Sequence, residues 1–132
     1  MTTLTIPTSQ RTEFVEITTK VQKAVTQAGI KQGVCYLFVP HTTAGVMINE
    51  NADADVARDI RVDLDRLVPH DGDYRHSEGN SDSHIKAALV GASLSVFVEN
   101  GKLALGRWQG IFFCEFDGPR ERQLQLKILR EA

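Results

Sequence analysis

"GVCYLFVPH" (residues 33–41), followed by "TTAGVMINEN" (42–51), decides what kind of molecule this is. The first run is β-branched and aromatic, which is what a strand buried on both faces would carry. After the Thr-Thr step, residues 44–49 read as a second strand. On the N-terminal side, "TLTIPT" (3–8) alternates and reads as a short strand, and 19–28 places Val21, Ala24, Val25 and Ala28 at helical spacing before a stop at Gly29. On the C-terminal side, Val56, Ile60, Leu64 and Leu67 make one apolar stripe over 53–67, with Asp53 as N-cap and Pro69 as terminator.

The loop "HDGDYRHSEGNS" (70–81) is longer than most connections in compact domains. Ser81 is placed to cap a short helix over 82–90, closed by Gly91. "SLSVFVENGKLALGRW" (93–108) carries Asn100-Gly101, the pair a type I′ hairpin turn demands. "GIFFCEF" (110–116) and "RQLQLKIL" (122–129) flank a "DGP" turn and read as another hairpin. Interspersed helices and a closing run of antiparallel strands define an α+β fold, a single domain over 1–132 with helices on a sheet or sandwich.

Composition removes several function classes. The formal net charge is -2, so no broad basic field draws the chain to nucleic acid or anionic membrane. No apolar run reaches the length of a membrane span, and the N-terminus lacks a signal-peptide pattern, so a cytoplasmic location is expected. The two cysteines, Cys35 and Cys114, lie inside apolar runs and read as buried thiols.

Four features carry candidate chemistry. Among the four histidines, His41 ends a strand, His76 lies in the long loop, and His84 falls in the first turn of the short helix. Their spacing alone suits three ordinary polar histidines better than a metal set; His70 reads as solvent-facing. Glu50 shares a strand face with Ala44, Val46 and Ile48, so it either meets a partner or ends wet at the strand terminus. Glu115, in register with Ile111 and Phe113, reads as half of a structural ion pair. Gly79, the helix start at Ser81 and Lys86 would suit a phosphate. Arg120 and Arg122, two positions apart, share a face and would reach one anion together. Each has a bland reading as capping, core or solvated charge. Trp108 reads as core or interface.

Taken together, "PHTTAGVMINEN" (40–51), "YRHSEGNSDSHIKAALVG" (74–91) and "GRWQGIFFCEFDGPRER" (106–122) resemble the YjbQ-like family of secondary thiamine-phosphate synthase enzymes. The resemblance spans residues 33–122. It implies an antiparallel β-sandwich with helices packed on it, a homotrimer, and a divalent metal, zinc by donor chemistry, on His41, His76 and His84. It further implies site roles for Asn49, Glu50, Glu78, Asn80 and Ser81. Ser83 and Arg107 depart from the family's usual residues, and neither removes a ligand.

Three functions follow as expectations. One is a metal-dependent transferase joining a hydroxymethylpyrimidine diphosphate to a thiazole phosphate, as main or side activity. There Glu50 and His84 act in catalysis, and Ser81, Lys86 and Arg120 hold phosphate. The second is a zinc-type hydrolase of a small phosphorylated metabolite, with Glu50 as general base. The third is a metal-stapled trimer that binds a metabolite without turnover.

Overall fold

Two antiparallel sheets face each other across an apolar core. The computed structural model describes residues 1–132. In chain order the elements are β1 (Thr2–Pro7), β2 (Glu13–Glu16), α1 (Thr18–Ala28), β3 (Gly33–Phe38), β4 (Ala44–Glu50) and α2 (Ala54–Leu67). Then come α3 (Ser81–Val90), β5 (Ser93–Glu99), β6 (Lys102–Leu103), β7 (Gln109–Glu115) and β8 (Glu121–Arg130). The larger sheet has the order β1-β8-β3-β5-β6 and the smaller one β2-β7-β4. Every pairing is antiparallel, so the expected α+β sandwich is what forms.

Alternation puts Cys35, Leu37 and Val39 of the first quoted run inward, against Val96, Val98, Leu124 and Leu126 of the same sheet and Val46, Ile111 and Phe113 of the other. The opposite face of β3 is not covered. Tyr36 and Phe38 are about half exposed, and Phe97 and Leu129 beside them more so. The expectation of burial on both faces therefore fails for β3. It holds instead for β7, where Gly110 to Glu115 are all buried. Its second face meets a smaller core of Ala87, Phe112, Cys114 and Phe116, covered by Leu64 of α2 and Val90 of α3.

The expected 110–129 hairpin does not exist. β7 pairs with β2 and β4, whereas β8 pairs with β1 and β3. The "DGP" corner carries the chain from one sheet to the other, so Phe113 and Leu124 face the same core from opposite layers. β2, which pairs with β7 from Glu13 to Glu16, was not foreseen; four residues, two of them glutamate, carry too little pattern to be read. The Asn100-Gly101 turn forms as expected, with φ of 53° and 78°, but its second strand is only Lys102–Leu103.

The helices largely match. Asp53 caps α2, its carboxylate accepting from the Asp55 N–H at 2.9 Å. Leu67 leaves the expected stripe and is exposed, and Val68 takes the buried place. α3 starts one residue early, with Asn80 rather than Ser81 as N-cap and no side-chain cap bond. It packs on β4 through Gly45, where a Cβ would stand 2.7 Å from the Gly91 carbonyl oxygen. That close approach fixes α3 over the strand ends that carry the site.

Candidate functional site

Ala44, the first residue of β4, pairs in register with Glu115, the last residue of β7, and Thr43, just before Ala44, accepts the Phe116 N–H at 3.2 Å. Two charge networks hold this end of the sandwich. In the first, Arg122 donates through Nε to Glu115 Oε1 at 2.8 Å and through Nη2 to Glu115 Oε2 and to Thr43 Oγ1 at 2.8 Å. Thr8 Oγ1 and the Asp117 N–H also donate to Glu115. Burial raises the Glu115 pKa, but Arg122 and the other donors outweigh it, and the group sits below its ordinary value. The ion pair expected for Glu115 is thus present. Arg122 Nη1 makes no hydrogen bond within the protein.

In the second network, Asp82 is fully buried and accepts from both Arg11 terminal nitrogens at 3.1 Å. Lys86 lies 3.7 Å away and donates to Asp65 Oδ1 at 2.5 Å. Desolvation raises the Asp82 pKa; the Arg11 bonds and charge and the Lys86 charge outweigh it and leave it lowered. This corrects the phosphate role expected for Lys86. Its ammonium is buried between Asp82 of its own helix and Asp65 of α2, and the bond to Asp65 ties α3 to α2. Asp82 and Arg11 escaped notice in the sequence because they lie 71 residues apart. The one available signal was the Asp82/Lys86 spacing of four on a helix.

Both carboxyls have depressed folded-state pKa values, so their contribution to stability is present above the ordinary carboxylate range and lost as pH falls through the folded values. Thermal melts are expected to be flat with respect to Asp82 and Glu115 above about pH 5 and to fall steeply below about pH 4. Asp82→Asn should make the acid limb shallower, and an unchanged limb would show that Asp82 does not contribute to it.

Above these networks opens a cavity of about 610 Å³, lined by His41, Glu78, Asn80, His84, Arg120 and Arg122 among others. Arg120 is half exposed and pairs with Asp117 at 3.0 Å. Asn80 Nδ2 also donates to Asp117, at 2.9 Å, while Asn80 Oδ1 is buried with no donor. An orphan acceptor beside two guanidinium groups suits a ligand bearing both an N–H or O–H and an anionic group. Thus the two arginines do meet one cavity, as their shared face suggested.

His84 also lines a second cavity of about 390 Å³, with Tyr74, Arg75, His76 and Ser81. The His76 and His84 rings meet edge to face, centroids 5.5 Å apart, and His76 Nε2 is 3.7 Å from Glu78. His70, exposed as expected, bonds the Gly79 carbonyl oxygen through Nε2 at 2.9 Å.

The three-histidine metal set does not assemble within one chain. No group of three or more His, Cys, Asp or Glu side chains is arranged to hold an ion. His76 and His84 approach each other, but His41 Nε2 is occupied, accepting the Gln123 N–H at 2.9 Å. An ion on His76 and His84 would need its remaining donors from water, substrate or another copy of the chain.

Asn49 and Glu50 also lie elsewhere. They end β4 at the edge paired with Gly110 and Gln109, five and six residues from Ala44, which puts Glu50 about 20 Å away along an extended strand. Asn49 Oδ1 accepts from the Glu50 N–H at 2.8 Å. Next to them Trp108 is 54% exposed, so it is not core, with Arg107 stacked at 4.8 Å. Glu50 is therefore no general base for an imidazole-held water in its own chain. Burial keeps both thiols protonated, pushing Cys35 up to about 11 and Cys114 further.

No helix is long and apolar enough to cross a membrane. The chain matches a family model described as UPF0047 protein YjbQ-like over residues 2–131. It is 49% identical over 128 residues to the UPF0047 protein YugU of Bacillus subtilis, covering 96% of this chain and 97% of that one. It is also 49% identical over 124 residues to a UPF0047 protein of Methanocaldococcus jannaschii, covering 94% and 90%. A crystal structure of an uncharacterized conserved protein of the YjbQ/UPF0047 family from Clostridium acetobutylicum superposes with a TM-score of 0.96 at 53% identity, covering 98% of this chain and all of that one. The chain belongs to the UPF0047, YjbQ-like family.

Proposed function

We propose that this protein is a group-transfer enzyme acting on small phosphorylated metabolites, with thiamine-phosphate synthesis as the reaction to test first. The observation that carries the reading is the cavity where Arg120, the free Nη1 of Arg122, His41 and His84 converge beside the orphan acceptor of Asn80. Joining a hydroxymethylpyrimidine diphosphate to a thiazole phosphate breaks the methylene C–O bond and forms a C–N bond. The electron pair leaves with pyrophosphate. The chain's part is to hold the diphosphate, absorb its growing negative charge and orient the acceptor. Arg120 and Arg122 supply fixed positive charge. His84, shared by both cavities, stands between a site for the diphosphate and one for the second substrate and donates a proton or hydrogen bond to the leaving oxygen.

Assembly belongs to the same proposal. A homotrimer would cover the bare face of Tyr36, Phe38, Phe97 and Leu129, which no element of the chain packs on. It would also let Asn49 and Glu50 of one copy reach a histidine cavity of another. The zinc expected from the sequence has no complete donor set in one chain, so no step is assigned to it.

Protein mixed with both substrates should release pyrophosphate, and Arg120→Ala should raise KM about tenfold or more by removing a charged hydrogen bond. Binding of either substrate without pyrophosphate release would replace the transferase with the metabolite-binding reading. Failure of both to bind would end the proposal.

A further inference from the structure

His41 was expected to share a metal with His76 and His84, and its hydrogen bond argues otherwise. We propose that His41 is a tautomer-locked hydrogen-bond donor whose Nδ1–H reads a phosphate oxygen beside Arg122, and that it is not a metal ligand. The inference rests on the anion-binding reading of the cavity and assigns one residue its part in it.

The Gln123 backbone N–H points at His41 Nε2 from 2.9 Å. A backbone amide can only donate, so Nε2 must be the unprotonated nitrogen of the neutral ring, and the proton sits on Nδ1. Metal-bound imidazoles work the other way round. One nitrogen gives its lone pair to the ion and the other carries a proton toward an acceptor. If His41 bound through Nδ1, its Nε2–H would confront the Gln123 N–H, donor against donor. If it bound through Nε2, the ion would have to displace the amide, leaving that N–H without its partner. Neither arrangement agrees with the fold, because Gln123 is fixed by the β8 ladder.

The Nδ1–H has no partner in the protein, and its residue lines the cavity together with Arg122, whose Nη1 is likewise free. Burial first, and the Arg122 charge second, hold the ring below the ordinary histidine value, in keeping with a neutral donor. Arg122 supplies the charge and His41 the direction. By contrast, the His76 and His84 rings pack edge to face, and neither accepts from a backbone N–H.

Three measurements test this. Long-range proton–nitrogen correlation spectra of labelled protein should show His41 protonated at Nδ1; protonation at Nε2 overturns the inference. Inorganic phosphate and pyrophosphate titrated calorimetrically into wild type and His41→Ala should show about a tenfold to hundredfold loss of affinity in the variant. His41→Asn, whose amide nitrogen falls near the place of Nδ1, should recover part of it. Wild-type binding that His41→Ala leaves unchanged overturns this inference alone, whereas wild type that binds neither anion overturns the anion reading of the cavity as well. After zinc loading, His41→Ala should carry as much metal as wild type; a drop in metal content overturns the assignment.

Discussion

Replacing Arg122 by methionine is expected to lower the unfolding free energy by about 3–5 kcal/mol, the usual result of breaking a buried ion pair from one side. Glu115 is fully buried and Arg122 is 4% exposed. Without the guanidinium, Glu115 keeps only the Thr8 hydroxyl and the Asp117 N–H. Those cannot offset a carboxylate held away from water, so the group would take up a proton or the corner would open. For a chain of this length the melting temperature should fall by roughly 10–20 °C. Pairing the change with Glu115→Gln should recover much of the loss, because no unpaired charge then remains. A fall of less than about 1 kcal/mol for the single variant would mean that Glu115 has another cation within reach and does not depend on Arg122. The same variant should also lose phosphate affinity, since Arg122 forms part of the cavity wall.

His84→Ala is expected to reduce pyrophosphate release by about 10²- to 10⁴-fold, the range typical for losing a positioned proton donor. Stability should hardly change. The His84 ring makes no hydrogen bond within the protein and is only partly buried, with the His76 ring as its edge-to-face neighbour. His76→Ala should do less, because His76 lines only the second cavity. Single-turnover rates with both substrates separate this effect from binding, and a large loss in kcat with KM held is the result that supports the role. Equal turnover in the variant and wild type would remove His84 from the chemistry and leave the cavity as a binding site only.

Much of the architecture was legible because period and turn chemistry are local. The alternation through Cys35, Leu37 and Val39, the stop at Gly29, the Asp53 cap and the Asn100-Gly101 turn each follow from a few adjacent residues. What could not be read was which layer a strand joins. Residues 110–129 have the pattern of a hairpin, yet the chain changes sheet at the corner. Both arrangements bury the same alternating residues, so hydrophobic pattern does not distinguish them.

The site divides along the same line. The pairing of Glu115 was foreseeable, since a carboxylate in register with Ile111 and Phe113 has to be compensated. The convergence of Arg120 and Arg122 followed from their spacing. Lys86 misled because a lysine near a helix start looks solvated until α2 brings Asp65 over it and closes it against Asp82 of its own helix. Asn49 and Glu50 do not meet the histidines within one chain, because a motif is read along the chain while an extended strand carries its two ends about 20 Å apart.

By itself, then, the sequence determined the α+β class, the positions of the helices and most strands, the buried thiols and the set of chemically capable side chains. Periodicity and capping act over one or two turns and need no partner. The tertiary structure alone decided the order of strands in the two sheets, the burial of Lys86, the bond from Gln123 that fixes the His41 proton, and the separation of Glu50 from the histidines. Those depend on which distant segments touch, and contact between them is set by how the whole core closes.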